Sequence, residues 1–292
     1  MFFSTALKKY NLQTNGPNAV FLILVMLSFC FAIAMLFMLL ASIFYDGFLR
    51  LSWQFLTQFP SRNPQMAGIL SSWVGSLYLM ILTGIIAVPL GVGAAIYFEK
   101  YAKKNWFNHL MEINIGTLAG VPSIIYGLLG LALFVRIMSL DRSLIAGAFT
   151  LALLILPIII ISSREAIRNV PSFMQDGALA LGATRSQVIK TIIIPLSFPG
   201  ILTGVILSLS RAIGETAPLI AIGALTYIAF LPESILSPFT ALPIQIFNWI
   251  SRPQILFHHN AAAGIIVLIS ITLLLNMSAI FLRDRFDRKN SK

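Results

Sequence analysis

Charged side chains are scarce in this sequence. They make up 10% of its 292 residues, where a soluble domain carries about a quarter. So little charge cannot cover the surface of a water-soluble globule. Cysteine is rarer still, since the single one, Cys30, lies inside an apolar stretch; this excludes a disulfide framework and a thiolate metal cluster. The three histidines, His109, His258 and His259, lack the H-E-x-x-H spacing that would bring two imidazoles to one zinc. The sequence contains no G-x-x-x-x-G-K-[ST] phosphate loop, which excludes that mode of ATP binding, and no G-x-S-x-G nucleophile elbow. Gly91-Val-Gly93 lacks a third glycine and follows no strand pattern, leaving a dinucleotide site unsupported. Acidic residues number 10 against 20 Lys and Arg, for a formal charge of +10. In a soluble domain that excess would point to nucleic acid, whose partners interleave solvated cations with aromatics. Here the basic residues sit in short clusters between long uncharged stretches, so nucleic acid is not a partner.

Long apolar runs fill the space that charge leaves. Hydrophobic residues reach 58%, and a helix needs about 20 consecutive apolar residues to cross the hydrocarbon. Five stretches meet that length, near Ala19 to Phe44, Gly68 to Phe98, Ile113 to Val135, Ser143 to Ser163 and Ala261 to Leu282. A sixth is read from about Pro195 to Ile213, followed by a broken or re-entrant continuation to Phe230, because Arg211, Glu215, Pro218 and Pro232 interrupt it. The fold class expected is all-α, a polytopic membrane protein of about six transmembrane helices. The first stretch is too long for a secretory signal and is expected to stay as an anchor. The N-terminal tail, the segment from Glu99 to Glu112, the segment from Arg164 to Lys190 and the tail after Leu282 carry 2, 3, 4 and 5 basic residues. The opposite loops hold only Arg50, Arg62, Arg136, Arg142 and Arg252. Basic residues accumulate on the cytoplasmic side, so both termini are expected there. Between Leu231 and Asn260 the apolar run Leu242 to Ile250, with Trp249 in it, suggests an interfacial element near the headgroups.

The segment after the fourth stretch is the most informative. Ser172 with Gln175 and Thr184 with Gln187 have capping-box spacing, and Gly182 is placed to end the first helix in a left-handed turn. A helix-turn-helix is expected, its first helix carrying Phe173, Gly177, Ala180 and Leu181 on one small apolar face. Such a face suits docking into a groove, although an amphipathic loop lying on the membrane would read alike. Asp176, Gly177, Ala178, Gly182, Ile192, Ile194 and Pro195 also match, position for position, the E-A-A, three residues, G, nine residues, I-x-L-P pattern. The segment thereby resembles the cytoplasmic loop of type I ABC importer membrane subunits. Asp for Glu, Gly for the first Ala and Ile for Leu are its departures.

Arg211-Ala-Ile-Gly-Glu-Thr-Ala-Pro218 and Gly120-Val-Pro-Ser-Ile-Ile-Tyr-Gly127 are similar to the phosphate-specific branch of these permeases. The resemblance implies the type I ABC importer permease fold, residues 1–66 forming a tail, first helix and outer loop. A permease core would occupy 67–285 with its coupling loop at 164–195, and a basic tail 286–292. It implies a bacterial inner-membrane location and no catalytic residue or metal site. No cofactor would sit in this chain, ATP and Mg being bound by a partner ATPase. The implied partners are a homologous permease subunit, an ATP-binding subunit dimer, an extracytoplasmic phosphate-binding protein, inorganic phosphate and membrane lipid. Asp176, Gly177, Ala178 and Gly182 would be the ATPase-coupling residues.

Arg211 needs no family to attract notice. A charge inside a span costs about 2.5–3.5 kcal/mol on insertion scales and generally faces the bundle interior. Glu215 follows one helical turn later. The pair could contact phosphate, work as a gate, or fix helix packing. Ser123 and Tyr126, beside Pro122, could line a path, whereas Arg164 and Arg168 either follow from topology or meet substrate on the cytoplasmic side. Gly116 with Gly120, and Gly200 with Gly204, have the spacing that lets helices pack closely. A secondary anion transporter, with Glu215 carrying a proton, is the alternative from another class.

Overall fold

The computed structural model describes residues 16–103 and 105–290, so Lys8, Lys9, Lys104 and Lys292 lie outside the described residues. The described chain is almost wholly helical, its one β-feature an isolated bridge between Ser143 and Pro238. In order come α1 (Gly16–Phe48), α2 (Trp53–Thr57), α3 (Leu70–Ile96), α4 (Trp106–Leu118), α5 (Ser123–Gly130) and α6 (Leu144–Arg168). There follow α7 (Ser172–Ala180), α8 (Arg185–Val188), α9 (Ile194–Ile213), α10 (Ala217–Ile222), α11 (Leu242–Ile250) and α12 (Ile255–Asn290). Wider π-helical turns extend α3 over Tyr97–Tyr101, extend α5 over Leu131–Ile137 and join α8 to α9 through Ile189–Ile193.

Among the described residues, five helices are long and apolar enough to cross a membrane: Val20–Phe48, Leu70–Tyr101, Leu144–Arg168, Arg185–Ile213 and Ile255–Arg285. The third expected crossing, Ile113 to Val135, is instead two helices, Trp106–Leu118 and Ser123–Ile137, bent by 107°. Gly120-Val121-Pro122 explains the correction. The residue before a proline is driven out of the helical region, and Gly120 and Val121 close tight turns onto Thr117 and Leu118 instead.

The core lies between α3, α6 and α9. Ala87, Ala95, Ile155, Ile159, Ile193 and Ala212 bury there, the small residues admitting close backbones. A Cβ on Gly204 would stand 2.1 Å from Ser162 Oγ, and one on Gly200 2.7 Å from Ala166 Cβ, so α9 lies directly on α6 at these glycines. Gly116 has no atom within 4 Å of that position, and Gly120 meets only its own turn. Of the two glycine pairs, only Gly200 and Gly204 make a helix contact within this chain.

At one end of the bundle, short elements fill the space between the long ones. α11 forms over the expected run, with Leu242 to Ile246 and Trp249 buried and Phe247 and Ile250 left exposed. Trp249 is 1% exposed and packs its ring 5.9 Å from that of Phe55. The buried Gln245 amide holds it there, donating to the Thr226 carbonyl and accepting from Trp249 Nε1. Ser71 Oγ donates to the Ile228 carbonyl and Ser76 Oγ accepts from the Leu242 amide, so the polar residues of α3 anchor the segment between α10 and α11.

Candidate functional site: a charge pair beside a broken helix and an exposed helix-turn-helix

α9 places Arg211 in its last turn, and Arg211 Nε lies 3.3 Å from Glu215 Oε1 one turn on. The side chains are unequally covered, Arg211 at 47% exposed and Glu215 at 16%. A sealed structural pair would hide both. Here the guanidinium opens onto a face that the chain itself does not fill. α9 ends at Ile213, so Glu215 stands in the short unwound link Gly214–Thr216, and α10, with Pro218 in its first turn, runs only from Ala217 to Ile222 before Gly223, at φ 88°, turns the chain.

α5 packs on α10 so closely that a Cβ on Gly127 would lie 2.6 Å from Pro218 Cα. This brings Tyr126 within electrostatic reach of Arg211. Tyr126 itself is buried, and its hydroxyl donates to the Leu118 carbonyl at 2.8 Å. It braces the bend between α4 and α5. Ser123 is half-buried in the first turn of α5.

Arg164 and Arg168 lie at the other end of the bundle, away from Arg211. Arg164 Nε donates to Glu99 at 2.9 Å and its terminal nitrogen to Glu112 at 2.7 Å; Arg168 reaches the same Glu99 oxygen at 2.8 Å. Arg164 also lies 5.4 Å from the centre of the Phe98 ring. The ends of α3, α4 and α6 are thus clamped together by charge. Neither Glu99 nor Glu112 stood out in the sequence, because nothing local to them records partners 65 and 52 residues away.

The helix-turn-helix forms at this same end. Gly182 has φ +86°, its amide bonds the Leu179 carbonyl, and the Ala183 amide bonds the Ala178 carbonyl, which is a Schellman ending. Thr184 and Gln187 make the expected capping box around α8. The expected Ser172 and Gln175 box is absent. Pro171 takes the cap position, and the Gln175 amide accepts from Lys100 Nζ at 2.9 Å and donates to the Val170 carbonyl, tying α7 to α3. Asp176, Gly177 and Gly182 are exposed together with Phe173 and Leu181, while Ala178 packs against the core.

Two polar links between helices escaped sequence reading. Ser210 donates to Asn276 between α9 and α12. Arg50 Nε donates to Asn260 at 2.6 Å, and its terminal nitrogen donates to the Pro64, Gln65 and Ala67 carbonyls, clasping the turn after α1 to α12. Isolated asparagines in an apolar run were the available signal.

Long helices, a broken span, and a cap-and-turn segment displayed beyond the bundle define a helical permease. The chain belongs to the family of binding-protein-dependent transport system inner membrane components, whose model matches residues 87–292. It is 32% identical to the probable ABC transporter permease protein YqgI of Bacillus subtilis, over 90% of this chain and 95% of that one. It is 31% identical to the phosphate transport system permease protein PstA of Yersinia pestis, over 93% of this chain and 92% of that one. The fold is shared with the crystal structure of a bacterial ABC transporter involved in alginate import. That match has a TM-score of 0.63 at 13% identity and covers 98% of this chain and 99% of the other. The protein is therefore a multi-pass, non-catalytic permease subunit that works with a separate ATPase and a binding protein.

Proposed function

We propose that the chain forms half of the translocation path of an ATP-driven inorganic phosphate importer. The phosphate transport permeases among its relatives support that substrate. The observation that carries the site is the half-open Arg211, a guanidinium at the break of α9 with Glu215 on one side. A planar guanidinium matches phosphate oxygens in two parallel hydrogen bonds. When phosphate is away, Glu215 takes its place and neutralises the cation; when phosphate arrives, it competes for the same donors. Ser123 and Tyr126 border this pathway, Tyr126 by holding the α4–α5 bend. A homologous permease subunit supplies the other half.

α7 and α8 couple the path to a dimer of ATP-binding subunits, which hold ATP and Mg. Phe173, Gly177 and Leu181 enter the ATPase cleft, with Asp176 beside them, and Gly182 sets the angle. An extracytoplasmic phosphate-binding protein docks at the opposite end. Lys100, Lys103, Arg164, Arg168, Arg185 and Lys190 all stand at the α7 end, which makes that end cytoplasmic by the distribution of basic charge.

The decisive experiment is phosphate uptake by vesicles holding the complex purified in mild detergent. ATP-dependent uptake by a complex that contains an ATPase and a second permease is the expected result. Uptake that proceeds without the ATPase and follows a proton gradient would overturn the reading in favour of a proton-coupled anion carrier.

A further inference from the structure

α4 is amphipathic in the opposite sense to a helix on a water-soluble protein. Asn108 and Glu112 face inward, Glu112 ending on Arg164, whereas Trp106, Phe107, Leu110 and Ile113 are 77%, 52%, 40% and 50% exposed. The 107° bend to α5 turns α4 across the direction in which α5 runs through the bundle. A helix so placed lies along a membrane surface with its aromatic and aliphatic residues dipping into the acyl region. Between α4 and the ends of α3 and α6 is a cleft of about 550 Å³. Its cations are Lys103, Arg164 and Arg168, its carboxylates Glu99 and Glu112, with His109 at the rim.

The two carboxylates are already committed. Arg164 takes one oxygen of each and is 14% exposed, so it offers little to a ligand. Arg168 spends one nitrogen on Glu99 and remains 60% exposed, and Lys103 makes no ion pair among the described residues. Three cations against two carboxylates leave the cleft lining one net positive charge, with Lys103 and Arg168 accessible, directly beside an exposed apolar helix face. One molecule matches both halves.

We propose that this cleft binds the headgroup of an anionic phospholipid, with the acyl chains lying along the outward face of α4. Lys103 and Arg168 meet the phosphate and the net negative charge, and Trp106 sits at the boundary between headgroup and chains, where amphipathic rings collect. The bound lipid also fastens α4 next to the clamp that joins α3 and α6, close to the coupling helix.

The test uses the assembled permease and ATPase complex in lipid nanodiscs. A polarity-sensitive fluorophore is placed on cysteine in Ile113→Cys, in a Cys30→Ala background. Brominated phosphatidylglycerol or brominated phosphatidylcholine is then included as a minor lipid, and quenching is compared. Each surface cation enriches anionic lipid by about five-fold, so brominated phosphatidylglycerol should quench more strongly. Lys103→Gln and Arg168→Gln should each reduce the preference by about that factor, and Lys103→Arg should retain it. Equal quenching by both lipids would overturn the headgroup site while leaving α4 in the bilayer. Absence of quenching by either would overturn the proposal altogether, showing that another subunit covers the face. Fluorophore emission and complex yield report independently whether each variant has folded.

Discussion

At the scale of single residues, the charge pair carries the proposed phosphate path. With Arg211 47% exposed, the 3.3 Å contact to Glu215 is a half-open ion pair, and a neutral side chain in its place removes a charge that costs about 2.5–3.5 kcal/mol inside a span. Losing the contact therefore costs little stability. Arg211→Gln should leave membrane abundance near that of the wild type and abolish phosphate uptake. A pair that serves only packing gives the reverse pattern, with both single substitutions losing protein and the double substitution with Glu215→Gln recovering uptake. Immunoblots beside radiolabelled phosphate uptake for the three variants separate the two. Arg211 and Glu215 were legible in the sequence because a charge in an apolar run needs an explanation. Their unequal cover was not, since it depends on where α5 and α10 pack. Tyr126 shows the same limit: its type and place suggested a path, while its hydroxyl turns out to be used by the Leu118 carbonyl.

At the scale of elements, one spacing has two outcomes. Gly200 and Gly204 face α6 at distances that no side chain could fill, while Gly116 faces nothing within this chain. Gly204→Val should separate α9 from α6 at a cost of about 1–3 kcal/mol, read as lower membrane abundance and a lower melting temperature. Gly116→Val should leave both unchanged. The helix-turn-helix gives a second contrast. No atom lies within 4 Å of a Cβ on Gly182, so a substitution there meets only the left-handed backbone at φ +86°, a strain of about 1–2 kcal/mol. Gly182→Val should tilt α7 and uncouple ATP hydrolysis from transport, whereas Gly182→Asn, which tolerates that conformation, should stay coupled. Transport per ATP hydrolysed is the measurement. Wild-type coupling in Gly182→Val would argue against a force-transmitting turn. Caps, turns and apolar length are local properties, so the sequence displayed α7, α8 and five long helices. The bend at Gly120 to Pro122 was hidden because apolar length on both sides hid the break, and the burial of Trp249 because it depends on Phe55, far away in the chain.

At the scale of the whole molecule, the hydrogen-bond network orders the chain across the bundle. Arg50 and Asn260 join the turn after α1 to the first turns of α12 at one end, where Ser71 also meets Ile228. Glu99, Arg164, Lys100 and Gln175 join α3, α6 and α7 at the other. Since α3 ends at the second group and α6 begins beside Ser237, at the first, the bent pair α4 and α5 must carry the chain back across the bundle. The broken helices thus complete an even number of traverses. α1 runs toward the clasp and α12 away from it, so Gly16 and Asn290 point to the α7 end. The orientation proposed above rests on charge: basic residues are held on the cytoplasmic side, and they gather around α7. In a Cys30→Ala background, a membrane-impermeant maleimide added outside should label cysteine in Ser234→Cys, in the outer loop, and should leave Ser186→Cys, in α8, unlabelled until the membrane is opened. Both positions are exposed on the protein, so a failure to label reports the membrane barrier and not burial. External labelling at Ser186 would reverse the orientation and remove α7 and α8 from reach of any ATPase in the cytoplasm, leaving the exposed Phe173 and Leu181 without the function proposed for them.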